Sequence, residues 1–468
     1  MKSLFSVGKR NNLNEIWITQ TGQTITQSSI PKVNVMDILT HPSDEADARV
    51  RAIDARTLDA DPSVYDNVRA ILGDVRDRGD DALLEYTRKF DGAELTPETL
   101  RVSAEEIAAA EMSVDGHFMD ALNRAIRQIE NFHKNQLRKS WINTDRPGTV
   151  LGQLFNPVEA AGVYVPGGKG GDTPLVSSVL MGVIPARIAG VDRVVMATPP
   201  TAEGKVSPQM LVAAKRAGVD AVYRVGSAWS VAAMAYGTQT VPRCDVIVGP
   251  GNIYVTVAKK MVSGAVGIDM IAGPSEVLVI ADAGANPEFV AADMLSQAEH
   301  DPLASAVLVT DSQPLAEKVR EALNRQLDAL GRADIARQSL ADYGALLVVS
   351  DLDAAFALSN RIAPEHLELL VDSPFELLGK IRNAGAVFMG PYTPEPMGDY
   401  IAGPNHVLPT GGTARFSSAL SVDNFIKKTS VIHYAESAFR EEAPDVIRLA
   451  ETEGLGAHAR SVRVRLED

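Results

Sequence analysis

Twice along this chain, short runs rich in Val, Ile and Ala alternate with apolar-striped stretches of helical length. That alternation constrains the fold more than any other feature. The first series places strands at 163–165, 194–197, 221–225 and 245–248, with helices between them at 175–188, 208–217 and 228–236. A second series begins after Pro274, with strands at 277–281, 306–310, 346–349 and 386–389. In it, Asn286-Pro287 opens a helix that carries Gln297 and His300 near its C-terminal end. Strands separated by helices in this way predict parallel sheets with right-handed crossovers. The expected class is α/β, with two sheets of related plan.

Before residue 150 the pattern is helical. Val64, Val68, Ile71, Leu72 and Val75 share one face, and Gly79 stops the run. Ser103 with Glu106 forms a capping box, and Ala121, Leu122, Ala125, Ile126 and Ile129 form a stripe suited to core packing. Residues 391–421, rich in Gly, Pro and Thr, read as loop, and the tail from Asp423 reads as helical up to a basic end at 460–465. Residues 19–29 are mostly Thr, Gln, Ser and Gly, a flexible arm by composition, and recognisable periodicity begins only after Asp44. The first 32 residues lack the apolar core and cleavage site of a secretory signal.

A chain of 468 residues exceeds one ordinary core, so two or more domains are expected. A formal charge of −15 argues against nucleic acid or an anionic membrane as partner and suits a cytoplasmic protein. No apolar run reaches the ~18 residues a membrane helix needs. The single cysteine, Cys244, excludes an internal disulfide and a cysteine-based metal site, and reads as a small core residue.

Chemistry concentrates in four segments of the last third: Ser296 to His300, Pro364-Glu365-His366, Gly398-Asp399-Tyr400 and Gly456-Ala457-His458. Gln297 and His300, three residues apart on a helix, present an amide oxygen and an imidazole side by side. Glutamine is a weak, neutral ligand, so a metal held there must recruit stronger donors, and Asp399 and His458 are the candidates. The resulting nitrogen-and-oxygen set suits zinc. Glu365 beside His366 offers a base for an alcohol proton and a carboxylate that can activate water. A surface acidic pair beside a strand would look the same. His406, in Gly403-Pro404-Asn405-His406, stands in a loop where a polar side chain need not serve the core. Of eight histidines, each taken singly is more often structural than catalytic. Together and in this order, the four segments describe a metal-assisted oxidation.

Two glycine clusters join a strand to a helix. Gly167-Gly168-Lys169-Gly170-Gly171 is not a Walker loop, because Val163 and Gly170 stand where Gly and Ser or Thr are required. Gly249-Pro250-Gly251-Asn252 places Asn252 to cap the next helix. No Gly-x-Gly-x-x-Gly fingerprint is present. Either turn could receive a pyrophosphate on its N–H groups, and either could be purely structural.

At these residues the chain closely resembles the histidinol dehydrogenase family, from about Met36 to the C-terminus. The resemblance is carried by 162–168, 249–252, Gly273-Pro274-Ser275-Glu276, 296–300, 364–367, 398–400 and 403–409. It implies two NAD-dependent oxidations of L-histidinol to L-histidine through a bound aldehyde, with one zinc per subunit. The implied zinc ligands are Gln297, His300, Asp399 and His458, which also meet substrate. His366 is implied as the base for the alcohol proton and Glu365 as the group that activates water. Ser275, His406 and Glu453 would line the substrate site, with Tyr164 and Asn252 at NAD. An intertwined homodimer is implied, in which His458 and Glu453 serve the neighbouring subunit.

The resemblance further implies two incomplete Rossmann-like domains, one inserted in the other. They would comprise an arm and helical segment at 1–60, a discontinuous α/β domain at 61–163 and 277–420, an insert at 164–276, and a helical dimerisation segment at 421–468. The chain departs from the family pattern at Trp229, an NAD-contacting position where Gln is usual. Lys169 to Asp172 adds loop length, and Met1 to Val35 is additional. Three other readings remain: a paralogue oxidising another small alcohol such as a sulfonated diol, a zinc hydrolase using Glu365, and a zinc-stabilised binding protein.

Overall fold

The computed structural model describes residues 35–56, 61–167 and 173–467, together with a short strand pair at Trp17–Ile18 and Thr24–Ile25. Most of the polar arm and the glycine-loop residues 168–172 lie outside the described residues. Two all-parallel sheets dominate. The five-stranded sheet runs in the order Gly267–Ile268, Val246–Val248, Ala160–Tyr164, Arg193–Thr198, Ala221–Arg224. The six-stranded sheet runs Ala386–Met389, His366–Leu370, Glu276–Ala281, Ser305–Thr310, Ala345–Val348, Ile38–Thr40. Central strands such as Glu276–Ala281 and Ser305–Thr310 are buried along their whole length. Helices on both faces of a parallel sheet require this, and it is why these strands read as continuous apolar runs. Val277 and Val279 enter one core while Leu278 and Ile280 enter the other, the period-two alternation of a strand.

The helices before residue 135 divide differently from expectation. Val68, Ile71, Leu72 and Val75 of helix Pro62–Arg78 pack with Ala232, Val255 and Val257 on the five-stranded sheet. Leu122, Ala125 and Ile129 of helix Gly116–Lys134 pack with Val163 and Val183 on its other face. Residues 61–134 therefore pack on the sheet of 160–268 and not on the six-stranded sheet, although the loop residues Val407 and Leu420 join the core of helix Gly116–Lys134. Conversely, Ile38–Thr40 pairs with Ala345–Val348, and Ala46, Val50 and Ile53 of the following helix join Leu278, Ile280 and Leu347. The segment near residue 40 is thus an edge strand and cover of the six-stranded sheet, where a separate arm was expected. Sequence proximity misled because both sheets offer an apolar face of the same kind.

The tail is not helical throughout. Ile426–Tyr434 is a strand, antiparallel to Thr149–Pro157, which also pairs with Trp141–Asn143. Helices Glu436–Thr452 and Gly456–Arg463 follow. Among the described residues, no helix is long and apolar enough to cross a membrane.

Strand direction places the functional residues. Tyr164 and the turn at 249–252 stand at the carboxyl ends of strands in the five-stranded sheet. The order of that sheet reverses between Ala160–Tyr164 and Val246–Val248, which opens a crevice at those ends. Glu276 and His366 are the first residues of their strands, so they lie at the amino edge of the six-stranded sheet. Helix Pro287–Ala298 runs back against strand Glu276–Ala281, which returns Gln297 to that same edge. The segment 269–275 joins the two edges directly.

Candidate active site

The pair Glu365–His366 is set by a sharp chain reversal. Helix Leu352–Ile362 ends at Ala363, a residue at φ +55°, and Pro364 then forbids further helix. Glu365 and His366 emerge 5% and 4% exposed, as strand His366–Leu370 begins. Both are held by one neighbour. The Glu276 backbone N–H donates to Glu365 Oε2 at 2.9 Å, and the Glu276 carbonyl lies 2.9 Å from His366 Nδ1. A carbonyl can only accept, so Nδ1 carries the proton and Nε2 keeps its lone pair. That lone pair points to the acidic side of the site, with Glu395 Oε1 3.9 Å from Nε2.

Burial pushes His366 down to about 4, against the opposing pull of Asp399 and the Glu276 carbonyl. The imidazole is therefore neutral, and able to accept a proton, across the neutral range. Glu365 is pushed well above the ordinary carboxyl range, chiefly by burial and further by the charges of Glu276, Asp399 and Glu395. A carboxylate with a raised pKa is a stronger base once ionised.

Gln297 and His300 meet, with Nε2 3.3 Å from Nδ1, but His300 stands in the turn beyond the helix, which ends at Ala298, and not on the helix as expected. Gln297 is 1% exposed, yet its Oε1 has no hydrogen-bond partner. A buried carbonyl oxygen left unpaired costs about 1–3 kcal/mol, so this atom is built to meet something else. Asp399 Oδ2 lies 3.8 Å from His406 Nδ1, and one ligand atom each of His366, Glu395 and Asp399 falls within 4.8 Å of the others. His300, Asp399 and His406 all act electrostatically on His366, which puts them around one centre. An amide oxygen, an imidazole and a carboxylate fit zinc. Ser275 immediately precedes Glu276, and its carbonyl accepts from Ser305 N at 3.1 Å.

His458 and Glu453 do not join this cluster within the chain. Both are exposed, His458 on helix Gly456–Arg463 and Glu453 at the end of helix Glu436–Thr452. Neither has a hydrogen bond or ion pair to Gln297, His300 or Asp399 among the described residues.

Three buried carboxyls around the Glu365–His366 pair escaped the sequence reading: Glu276, Glu368 and Glu395. Each had a signal. Glu276 and Glu368 interrupt otherwise apolar strands, and Glu395 lies one helical turn before Asp399. Glu368 Oε1 accepts from Glu395 N at 3.0 Å. Burial, then the neighbouring Asp399, pushes Glu395 up to about 8, and burial, then Asp293, pushes Glu368 well up. An acid with a raised folded pKa keeps a proton that the unfolded chain has already released, so stability is lost as pH rises through the folded value. These carboxyls should therefore pull the melting temperature of metal-free protein down between pH 5 and pH 8, against the buried neutral His366, which pulls it up as pH rises to about 6.5. Glu395→Gln, which keeps a donor for Asp399, should make that slope shallower in a calorimetric series, and an unchanged slope would contradict this.

At the other edge, a closed set of contacts fixes the turn 249–252. Gly249 adopts φ +116°, and an added Cβ would stand 2.1 Å from the Tyr164 carbonyl oxygen. Its N–H donates to Asp269 at 2.8 Å, its carbonyl accepts from Lys259 Nζ at 2.8 Å, and Lys259 and Asp269 form a fully buried ion pair. Asn252 caps the next helix by accepting from Tyr254 N and Val255 N, which leaves its amide NH2 for a ligand. Tyr164 and Trp229 are both 4% exposed. The Tyr164 hydroxyl accepts from Ser227 N at 3.3 Å. Trp229 stacks on Phe90 at 5.4 Å and Tyr86 at 6.0 Å, with its indole N–H unpartnered. The indole is thus core, in the same cluster as Tyr164 and Ile247.

Fold and site together define a parallel α/β enzyme with a buried imidazole–carboxylate centre at the amino edge of one sheet. A sequence model described as histidinol dehydrogenase matches residues 54–466. The histidinol dehydrogenase of Nitratidesulfovibrio vulgaris is 57% identical over 407 residues, 87% of this chain and 93% of the relative. That of Carboxydothermus hydrogenoformans is 54% identical over 405 residues, covering 86% and 94%. The crystal structure of histidinol dehydrogenase from Elizabethkingia anophelis superposes with a TM-score of 0.87 at 38% identity, over 93% of this chain and 99% of that one. The chain belongs to the histidinol dehydrogenase family, oxidoreductases acting on a CH–OH group.

Proposed function

We propose that this protein is a cytoplasmic enzyme of histidine biosynthesis that oxidises L-histidinol to L-histidine, with zinc and two NAD, through a bound aldehyde. The observation that carries the reading is the buried pair Glu365–His366 held on a single residue beside Gln297 and His300. Zinc would be held by Gln297, His300, Asp399 and His458 of the partner subunit, and when bound it orients the substrate as a template. NAD, when bound in the crevice beside Tyr164, Trp229 and Asn252, accepts a hydride in each oxidation.

The chain's own residues move the protons. In the first oxidation, His366 Nε2 takes the alcohol proton as the carbon loses hydride, leaving the aldehyde. Glu365 then takes a proton from water as its oxygen adds to the aldehyde carbon, while His366 gives the proton it holds to the carbonyl oxygen, which becomes hydroxyl and leaves the imidazole neutral again. His366 takes a proton from that hydrate as the second hydride leaves, giving the carboxylic acid. Ser275, His406 and Glu453 of the partner subunit would complete the substrate contacts. Burial around the pair excludes bulk water between the two oxidations.

A shared-site homodimer is supported by apolar residues exposed along the antiparallel sheet and the tail: Trp141, Ile142, Ile432, Leu449 and Leu455. His458 and Glu453 sit on this same tail. Co-refolding inactive His458→Ala chains with inactive His300→Ala chains should return part of the activity, because one site of each hybrid then carries neither defect. Hybrids confirmed to form but inactive would place His458 in its own chain's site. The substrate assignment is tested by NADH production from zinc-loaded enzyme with L-histidinol and, separately, with a sulfonated diol. Turnover of histidinol alone is expected, and preference for the diol would overturn the assignment.

A further inference from the structure

We propose that Arg56 and Glu276 form a positioning pair that sets the placement of both Glu365 and His366, an inference that rests on those two being the acid–base pair. Glu276 holds Glu365 through its N–H and His366 through its carbonyl, so any shift of its backbone displaces both proton-handling groups together. What holds Glu276 is its side chain. Oε2 accepts from Arg56 Nη2 at 2.7 Å, and Oε1 accepts from Gly411 N at 2.6 Å. The ion pair is buried, with side chains 3% and 5% exposed.

Arg56 is itself fastened on every side. Its Nε donates to the Ile53 carbonyl at 3.1 Å and its Nη1 to the Leu303 carbonyl at 2.8 Å, and the guanidinium lies over the Tyr343 ring at 5.6 Å. Arg56 thereby ties the end of helix Asp44–Asp54 and the approach to strand Ser305–Thr310 to the residue beneath the active pair. The Gly411 contact adds the loop after Thr410, whose hydroxyl accepts from Gly273 N at 2.5 Å. Two segments distant in sequence, at Arg56 and at Gly411, meet on one carboxylate, and Arg56 is braced in turn by Leu303. A buried charge that merely stabilised the fold would be a poor device, since a well-packed apolar pair of equal volume is often as stable. A planar guanidinium whose other two nitrogens are held by the Ile53 and Leu303 carbonyls presents its remaining N–H to Glu276 in one direction as well as at one distance, which positioning requires.

The test uses full-length protein with Arg56→Lys and Glu276→Gln. Arg56→Lys keeps the charge and loses the planar guanidinium. Glu276→Gln keeps an acceptor for Gly411 N and loses the charge that matches Arg56. At a temperature where circular dichroism shows each variant folded, kcat should fall about 100-fold for both histidinol and histidinal, the scale of a small misplacement of reacting groups. KM for histidinol should stay within about threefold. Nitrogen-15 NMR of the imidazoles should show His366 in the Nδ1–H tautomer in wild type and as a mixture of tautomers in the variants. A folded variant with wild-type kcat and an unmixed Nδ1–H tautomer would overturn the proposal, as would a loss confined to KM. If Glu276→Gln fails to fold, Arg56→Lys decides alone. Wild-type protein that does not oxidise histidinol would defeat the proposed function, while the NMR comparison would still decide this inference.

Discussion

His300→Ala and Asp399→Ala are each expected to lose zinc and turnover together, the largest effect the site predicts. Gln297 supplies only a neutral amide oxygen, so a metal there depends on His300 and Asp399 for its stronger donors. Removing either leaves too few ligands to hold the ion against a chelator. A bound metal contributes several kcal/mol to such a reaction, so turnover should fall by at least about 1,000-fold. Metal analysis after gel filtration should give about one zinc per wild-type subunit and well under half that in the variants. Chelated wild-type enzyme should recover on adding zinc back. Full activity in metal-free His300→Ala would remove the metal from the account.

Glu365→Gln should separate the two oxidations. Only the second consumes water, and the amide cannot take water's proton. Oxidation of histidinal should therefore slow by about 100- to 10,000-fold, the usual contribution of a general base. Oxidation of histidinol to the aldehyde should fall by no more than about tenfold, because Gln can still accept from Glu276 N and keep the local geometry. His366→Asn should slow both halves. Single-turnover measurements starting from each substrate resolve the two. Equal slowing of both halves by Glu365→Gln would mean that Glu365 serves the alcohol step as well.

Much of this is legible in the sequence. Strands buried on both faces announce themselves as continuous apolar runs, and those expected at 277–281, 306–310 and 386–389 all appear within a residue of expectation. Ile426–Tyr434 was read as helix because it has neither face buried, so no apolar period marks it. The assignment of helices 62–134 to a sheet was illegible for another reason. An amphipathic stripe specifies that a helix is covered but not by which of two similar sheets.

In the site, the closeness of Gln297 and His300 is legible in their three-residue separation, even though the helix stops at Ala298 and a turn places His300, and Glu365–His366 is legible in adjacency. The gathering of His366, Asp399 and His406 around one centre depends on crossovers that spacing does not encode. Glu276 carries no role in the sequence reading, although a carboxylate heading the run Glu276–Ala281 has no reason to be buried unless something pairs with it.

The most direct measurement is the yield of NADH from a limiting, known quantity of L-histidinol on zinc-loaded enzyme, with an aldehyde trap present. The account predicts two NADH per histidinol, L-histidine as product, and no trapped aldehyde, because the intermediate stays beside Glu365 and His366 until water has been added. One NADH per histidinol with the aldehyde recovered in the trap would contradict it.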